Sequence, residues 1–235
     1  MQGGSLQGTE KPGGRLFVVA TPIGNLSDIT FRAVDTLKSV DFIVAEDTRT
    51  SSVLLKHFGI SKPMLSFHSH SGAGRTSEIV GKIADGAAAA LITDAGTPGI
   101  SDPGYTLVRD ALATGVEVIP IPGATALVAA LSSSGLRTDR FVFEGFLPLK
   151  KGRQKKLQEL SSERRTIVLY ESPHRIEKTL LELSKYFGER NCVVGREITK
   201  LHETFYRGTF SEILDMIGHG EKRGEFVIIV EGSEK

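Results

Sequence analysis

The sequence has a single cysteine, Cys192, and no long apolar run. One cysteine cannot form an internal disulfide, so nothing indicates an oxidising compartment, and a bacterial-type cytosol is the simplest interpretation. No stretch approaches the roughly 18 uninterrupted apolar residues that a membrane-spanning helix requires. The net charge of +1 is too small to indicate nucleic-acid binding by itself. What remains is a chain of 235 residues, 40 % of them apolar, which is enough for one large domain or two small ones.

Several standard catalytic and ligand-binding motifs are also missing. The chain has no Gly-x-x-x-x-Gly-Lys-Ser/Thr loop, and no Gly-x-Gly-x-x-Gly follows its first strand candidate, which argues against an ATPase, a kinase or an ordinary dinucleotide enzyme. His68 and His70 stand without cysteine pairs or a His-Glu-x-x-His motif. We therefore interpret them as surface or substrate-contact residues and expect no metal. The Gly-x-Ser-x-Gly elbow of hydrolases is absent as well.

The alternation of short β-branched runs with helical patterns predicts two α/β domains. Residues 1–14 have a Gly/Ser/Gln bias without an apolar core, which indicates a disordered lead-in or a cloning remnant and no secretory signal. Residues 15–134 predict an N-terminal α/β domain around a largely parallel sheet. The pattern changes near residue 135, so we expect residues 135–235 to form a C-terminal α/β domain with a mixed sheet.

The predicted elements follow from hydrophobic periodicity and from the residues that break it. In the first domain, strands are predicted at 16–20, 42–45, 64–67, 90–93 and 116–119, and helices at 28–37, 50–57, 78–85, 105–113 and 123–133. In the second domain, strands are predicted at 141–144, 166–170, 193–196, 205–208 and 226–230, and helices at 154–161, 175–187 and 211–217.

The loops that follow the strand candidates are the segments most able to carry chemistry. In parallel α/β sheets, ligands bind beyond the carboxyl ends of the strands, so these loops should converge on one cleft. The loop at 94–104 is rich in glycine and proline, which prescribe a fixed backbone path. Its exposed backbone groups can bind an adenosine or a carboxylate, and Asp94 can accept hydrogen bonds from an amine or a hydroxyl. The alternative is a tight turn capped by aspartate and serine.

A short basic cluster lies in the second domain. It contains Lys150, Lys151, Arg153, Lys155 and Lys156. It predicts either a surface that faces nucleic acid or a solvated loop and helix start.

Seven segments together resemble a known family. In chain order from about Leu16 to Gly232 they are TPIGNLSDIT, AEDTR, LITDAGTPGISDPG, IPGATA, FEGFLP, YESPHRI and GREITKLHET. Their order and spacing resemble the ribosomal RNA small-subunit methyltransferase I family of the tetrapyrrole (corrin/porphyrin) methylase superfamily. Two departures stand out. His68-Ser69-His70-Ser71-Gly72 replaces an H-x-H-N-E-like stretch, and many members continue into a lysine-rich tail whereas this sequence ends at Lys235.

The resemblance implies a tetrapyrrole-methylase fold with S-adenosyl-L-methionine bound in a cleft between two domains. It further implies a cytoplasmic homodimer that methylates the ribose 2′-hydroxyl of a cytidine in small-subunit (16S) ribosomal RNA, within the assembled 30S subunit. Two alternatives stay open at this point. One is a precorrin C-methyltransferase on the same fold, and the other is a non-catalytic RNA-binding factor of ribosome assembly.

The motif match also implies roles for individual residues. The expected cofactor-binding residues are Asp94, Gly96, Pro98, Ile100, Ser101, Asp102, Pro122, Gly123, Ala124 and Leu147. The expected substrate-binding residues are Thr21, Pro22, Gly24, Asn25, Arg175 and Arg196, the arginines as phosphate ligands.

The candidates for a general base or for a charge that stabilises the developing alkoxide are Glu46, Asp47, Arg49, Glu171, His174, Arg196, Glu197 and Lys200. Among these we select Glu46, Arg49 and Glu197 as catalytic, with an interdomain salt bridge as the alternative for each arginine and glutamate. Phe67, Phe146 and Tyr170 can stack on bases or belong to the core.

Overall fold

The computed structural model describes residues 14–218 and 223–234. These residues form two compact units: 14–22 with 26–124, and 23–25 with the described part of 125–235. The predicted lead-in at 1–14 lies outside the described residues except for Gly14, which is buried and whose carbonyl accepts the Glu117 N–H at 3.2 Å. The second unit begins at Thr125, ten residues before the position where the sequence pattern changes, because the helix that follows packs against a strand of that unit.

The first unit contains a five-stranded, wholly parallel sheet. Its strands are β1 (Arg15–Val19), β2 (Phe42–Ala45), β3 (Met64–Ser66), β4 (Ala88–Ile92) and β5 (Glu117–Ile121), in the order β3-β2-β4-β1-β5. The pairs β1–β4, β1–β5, β2–β3 and β2–β4 are all parallel. The central strands read as continuous apolar runs, FIVA in β2 and AAALI in β4, because both faces of a parallel sheet are covered.

Two hydrophobic clusters cover the two faces of this sheet. Successive residues of a strand point to opposite faces, so Leu91 packs in one cluster and Ile92 in the other. The helices of this unit are α1 (Phe31–Ser39), α2 (Thr48–His57), α3 (Ala73–Ala84) and α4 (Tyr105–Ala113). Side-chain caps begin two of them: the Thr30 hydroxyl accepts the Ala33 N–H at 3.1 Å, and Asp47 accepts the Arg49 N–H at 2.8 Å.

The second unit contains a five-stranded mixed sheet. Its strands are β6 (Phe141–Phe146), β7 (Thr166–Glu171), β8 (Asn191–Arg196), β9 (Thr204–Thr209) and β10 (Phe226–Val230), in the order β6-β7-β10-β8-β9. Only the β6–β7 pair is parallel among the pairs of this sheet in the described residues. The helices are α5 (Ala126–Ser133), α6 (Arg153–Ser161), α7 (Ile176–Phe187) and α8 (Phe210–Gly218).

The predicted α/β class, with one parallel and one mixed sheet, is confirmed. The largest boundary error concerns α3, which begins at Ala73 and not at 78. The glycines at its start indicate a loop, but Glu78 bonds to Arg75 at 2.7 Å and to Lys82 at 3.1 Å along the helix surface. Such pairs support a helix whose first residues have low propensity. Within residues 14–218 and 223–234, no helix is both long and apolar enough to cross a membrane.

Candidate active site

The carboxyl ends of three neighbouring strands in the first unit carry the glycine- and proline-rich loops. Strand β1 lies between β4 and β5 in the sheet, so the loops that follow these strands are adjacent. Nine of the ten expected cofactor-binding residues lie in the loops after β4 and β5, and Leu147 follows β6 in the second unit. Parallel topology therefore brings together residues up to about thirty positions apart in sequence, as the switch-point rule predicts.

Thr21 holds the loop after β1 against the loop after β4. Its N–H donates to the Gly96 carbonyl at 2.9 Å, and the Gly96 N–H donates back to the Thr21 carbonyl at 3.1 Å. The Thr21 hydroxyl donates to the Thr93 carbonyl at 3.2 Å, and the residue is 1 % exposed. Thr21 thus supports the floor of the site from below, and its expected contact with substrate stays a prediction.

The loop at 94–104 has a tightly constrained backbone. Gly96 has φ 88° and Gly104 has φ 159°, and a Cβ on Gly104 would lie 3.1 Å from the Gly99 nitrogen. Ser101 also has a positive φ, of 65°, which is uncommon outside glycine and is found preferentially at ligand sites. The Thr97 hydroxyl donates to the Ala124 carbonyl at 3.2 Å, which joins this loop to the one after β5.

Gly123 is required by a close approach to the end of β1. A Cβ at this position would lie 2.9 Å from the Ala20 Cβ, closer than such atoms normally come. The backbone of the loop after β5 therefore packs directly on Ala20. The exposed surface of this loop at Gly123 consists of peptide groups. A ligand at this edge of the sheet would meet backbone donors and acceptors and few side chains.

Carboxylates from the loops after β2 and β4 lie close together. The Thr93 hydroxyl donates to Glu46 Oε2 at 2.6 Å, and the Asp47 N–H donates to Asp94 Oδ1 at 3.2 Å. Although Asp94 is exposed as a residue, partial burial of its carboxyl raises its pKa, and the charges of Glu46 and Asp47 act in the same direction. This cluster of negative charge suits an amine, a ribose hydroxyl or a sulfonium ion.

Arg49 contacts this cluster through Asp47. Its Nη2 lies 2.6 Å from Asp47 Oδ2, and its side chain remains 89 % exposed. The Arg49 side chain and backbone N–H hold the pKa of Asp47 at about 2, well below its ordinary value. The guanidinium is therefore bound to the protein on one side and accessible to a phosphate on the other.

Replacing Arg49 by methionine is expected to raise the pKa of Asp47 from about 2 towards 3.8. Because the pKa of Asp47 is lower in the folded than in the unfolded protein, its carboxylate stabilises the folded state at pH values above the unfolded pKa. This stabilisation is lost as the pH falls through the folded pKa. The R49M variant has less of it to lose, so its stability should fall less than that of the wild type below pH 4. NMR titration of the Asp47 carboxyl measures this directly. Arg32→Met, which removes another exposed arginine, serves as the control, and an unchanged Asp47 pKa in R49M would contradict the pairing.

In the second unit, the one residue selected as catalytic, Glu197, has firm partners within the protein. Glu197 has φ 51°, and its Oε1 accepts from Lys200 Nζ at 2.8 Å and from the Glu225 N–H at 3.0 Å. Burial acts to raise the pKa of Glu197, but these hydrogen bonds outweigh it and the net shift is downward. Glu197 is consequently a weaker base than a free glutamate, and its catalytic assignment stays a prediction.

Gly24 and Arg196 are held near this turn. A Cβ on Gly24 would collide with Lys200 Cγ, so the stem of Lys200 fills the space beside the glycine. Arg196 is 8 % exposed, and its Nε donates to the Arg223 carbonyl at 2.8 Å. Asn25, by contrast, is exposed. The structure thus gives Arg196 a partner in the protein, and its expected phosphate contact stays a prediction.

The side chain of Arg175 contacts the backbone of Leu147. Arg175 Nη2 donates to the Leu147 carbonyl at 2.8 Å and lies 3.3 Å from Glu171 Oε2. The Leu147 side chain is 2 % exposed and belongs to the core of this unit. The sequence prediction treats both as ligand contacts, whereas the geometry shows them first as parts of one hydrogen-bonded network.

The basic cluster at 150–156 needs a correction. Arg153 is 6 % exposed and its Nε lies 2.7 Å from Glu182 Oε2, so it does not belong to a solvated basic surface. Lys156 pairs with Glu144 at 3.1 Å. The sequence signal for an inward arginine was present: Arg153, Leu157 and Leu160 lie on one face of α6 at helical spacing, and all three are buried.

The three aromatic candidates differ in their exposure to solvent. Phe67 is 3 % exposed and packs in the core of the first unit, which rules out base stacking there. Tyr170 is partly buried and its hydroxyl accepts the Leu127 N–H at 3.0 Å. Phe146 is 54 % exposed and packs edge-on against Tyr170 with ring centroids 5.8 Å apart. Phe146 is therefore the aromatic ring of the three best able to meet a ligand.

The histidine pair shows no metal geometry. The His68 and His70 rings lie 6.2 Å apart, and His68 Nδ1 accepts the His70 N–H at 3.2 Å. In the part of the chain that the structure describes, no three His, Cys, Asp or Glu side chains are grouped so that they could hold a metal ion.

One unit has a wholly parallel sheet with conformationally fixed loops at its carboxyl edge, and the other has a mixed sheet, which defines a two-unit α/β protein. The family model of the Tetrapyrrole (Corrin/Porphyrin) Methylases matches residues 15–214. A protein of Synechocystis sp. named ribosomal RNA small subunit methyltransferase I is 54 % identical over 94 % of this chain and 80 % of its own length. A protein of the same name from Thermotoga maritima is 46 % identical over 94 % of this chain and 100 % of its own length.

A solved structure shares the fold. Uroporphyrin-III C-methyl transferase from Thermus thermophilus, complexed with S-adenyl homocysteine, has a TM-score of 0.65 and 18 % identity over 93 % of this chain and 97 % of that one. The chain belongs to the tetrapyrrole methylase family and, within it, to the ribosomal RNA small subunit methyltransferase I family.

Proposed function

We propose that this protein transfers the methyl group of S-adenosyl-L-methionine to the ribose 2′-hydroxyl of a cytidine in small-subunit ribosomal RNA. The observation that carries the proposal is the 54 % identity, over nearly the whole chain, to a protein named ribosomal RNA small subunit methyltransferase I. Membership of a methylase family supports methyl transfer, and the related fold that binds S-adenyl homocysteine supports the cofactor.

The residues of the first unit fit the proposed cofactor. The loops after β4 and β5 present backbone groups, because a Cβ on Gly123 would collide with Ala20 and a Cβ on Gly104 would be in tight contact with the Gly99 backbone. Asp94 adds a carboxylate that can accept hydrogen bonds from an amine or a hydroxyl. When bound, the cofactor supplies an electrophilic methyl group on a sulfonium ion. The protein's own contribution is to hold the two reactants in line.

The reaction balances as a single displacement. The ribose oxygen forms a bond to the methyl carbon, the carbon–sulfur bond breaks with its electrons going to sulfur, and the hydroxyl proton passes to a base or to water. Glu46 and Arg49 are our candidates in the first unit for proton acceptance and for charge stabilisation of the developing alkoxide. The Thr93 hydroxyl donates to Glu46 Oε2 at 2.6 Å, which holds this carboxylate in place at the end of β2.

The finer parts of the proposal concern the substrate and the assembly. The exposed guanidinium of Arg49 suits a phosphate of an RNA. The similarity to proteins named ribosomal RNA small subunit methyltransferase I favours an RNA over a tetrapyrrole. We extend the proposal to the assembled 30S subunit as the natural substrate, to a homodimer as the active form and to the cytoplasm as its location, since ribosomal subunits mature there.

Transfer of labelled methyl groups tests the proposal. The purified protein is incubated with methyl-labelled S-adenosyl-L-methionine and with small subunits that lack the modification, free small-subunit RNA, or a precorrin. We expect label in small-subunit RNA, in a nucleoside that resists alkaline cleavage on its 3′ side, because a 2′-O-methyl group blocks that cleavage.

Paired variants control this assay. Asp94→Asn removes a charged hydrogen-bond acceptor at the site, which typically contributes about 1.5–3 kcal/mol, so transfer should fall about 10- to 150-fold. Asp85→Asn changes an exposed aspartate after α3 and should leave transfer unchanged. Label in the precorrin would support a tetrapyrrole methylase instead. Cofactor binding without transfer to any substrate would support a non-catalytic assembly factor.

A further inference from the structure

Arg153 is a buried cation, and each of the three nitrogens of its guanidinium donates a hydrogen bond within the protein. Its Nε donates to Glu182 Oε2 at 2.7 Å, its Nη1 to the Pro148 carbonyl at 3.1 Å, and its Nη2 to the Thr179 hydroxyl at 2.7 Å. The side chain is 7 % exposed. A buried guanidinium is tolerated only with such partners, because desolvation of an unpaired charge is costly.

The same network continues to Glu171 at the end of β7. The Thr179 hydroxyl donates to Glu171 Oε2 at 2.6 Å, and the Ser172 N–H donates to Glu171 Oε1 at 2.7 Å. Arg175 lies 3.3 Å from Glu171 Oε2. Two arginines and two glutamates therefore balance each other in charge around Thr179, which is itself 1 % exposed.

The network acts on one short stretch of main chain. Arg175 donates to the Leu147 carbonyl at 2.8 Å, and Arg153 donates to the next carbonyl, that of Pro148. Leu147 and Pro148 directly follow β6, whose last residue is the exposed Phe146. Two planar guanidinium groups thus fix consecutive peptide groups from inside the unit, which restrains both the position and the orientation of the segment.

We propose that Arg153 is a positioning residue for S-adenosyl-L-methionine, which it affects through the 147–148 main chain without contacting it. The inference rests on the proposed function, since Leu147 is one of the expected cofactor-binding residues. A binding segment needs support that holds it to within a fraction of an ångström, and a lysine at 153 can supply charge but not three directed hydrogen bonds. Arg175 restrains the neighbouring carbonyl in the same way.

The test compares dissociation constants for S-adenosyl-L-methionine, measured by calorimetry, with thermal unfolding of the same proteins. Arg153→Lys should raise the Kd about tenfold or more, because the segment gains freedom when the Pro148 carbonyl loses its donor. Arg165→Lys is the matched control, since Arg165 pairs with Glu163 and its side chain is 51 % exposed. Ile213→Val controls for stability, because it weakens the same hydrophobic core without touching the network.

The outcomes separate the two proposals. A raised Kd in R153K, with R165K and I213V at the wild-type value, supports the positioning role. An unchanged Kd in R153K beside a wild type that binds the cofactor overturns the positioning role and leaves the proposed function standing. A Kd raised equally in I213V reduces Arg153 to a structural residue and overturns the inference. A wild type that does not bind S-adenosyl-L-methionine overturns both.

Discussion

Replacing Gly123 by alanine is expected to weaken binding of S-adenosyl-L-methionine by about 5- to 150-fold. The new methyl group would lie 2.9 Å from the Ala20 Cβ, which belongs to the end of β1 and cannot rotate away. Overpacking of this kind costs about 1–3 kcal/mol, and the loop after β5 relieves it by moving. Calorimetric titration of the cofactor into wild type and variant measures the change.

A second substitution distinguishes the steric cause from any other. Ala20→Gly removes the atom with which the new methyl group collides, and the next nearest atom, the Ala20 carbonyl oxygen, lies 3.4 Å from the Gly123 Cβ position. Gly123 is not in the left-handed region of φ, so alanine is conformationally acceptable there. The double variant A20G/G123A should therefore regain most of the affinity. If G123A binds as wild type, the loop after β5 is not part of the cofactor site.

Replacing Glu171 by leucine is expected to lower the free energy of unfolding of the second unit by about 3–5 kcal/mol, the usual cost of removing one partner from a buried ionic network. The carboxylate is 1 % exposed, and it accepts from the Thr179 hydroxyl and the Ser172 N–H while lying beside Arg175. Without it, the buried Thr179 hydroxyl loses its acceptor, and the partly buried Arg175 loses the carboxylate beside it. Glu171→Gln keeps the shape and one carbonyl oxygen, so its cost should be smaller, about 1–2 kcal/mol.

The single cysteine offers a measurement that is specific to this unit. Cys192 lies in the core of the second unit, and burial raises the pKa of its thiol, so it reacts with thiol reagents only when that unit opens. Labelling of Cys192 at increasing urea concentration reports the unfolding of the second unit alone. Equal labelling curves for wild type and E171L would show that the network contributes nothing to stability.

The elements of both sheets could be predicted from sequence because each depends on a local pattern. The run FIVA in β2 and the run FVIIV in β10 are too apolar and too β-branched for any place but a buried strand. Glycines and prolines mark where these strands end. The helix α5 shows the limit of such patterns, because its residues predict a helix but only tertiary packing against β10 determines the unit with which it groups.

Sequence patterns predict which loops lie at one edge of the sheet, but they do not predict the hydrogen-bond partners of the candidate site residues. Placing the loops after β1, β4 and β5 together requires only that parallel strands end at one edge of a sheet. Predicting that Arg175 bonds to the Leu147 carbonyl requires knowledge of which groups lie near it after folding, across 28 positions of sequence. No local pattern carries that information, and the expected phosphate contact of Arg175 stays a prediction.

By itself, the sequence determined the α/β class, the two sheets, the loops that hold the candidate site and the family to which they belong. Those features follow from periodicity, from backbone preferences and from motifs, all of which are short-range properties of the chain. Only the tertiary structure decided that Arg153 points inward and that Thr179 joins it to Glu171. The reason is physical: a polar side chain is buried only where partners distant in sequence neutralise it, and topology alone determines where those partners lie.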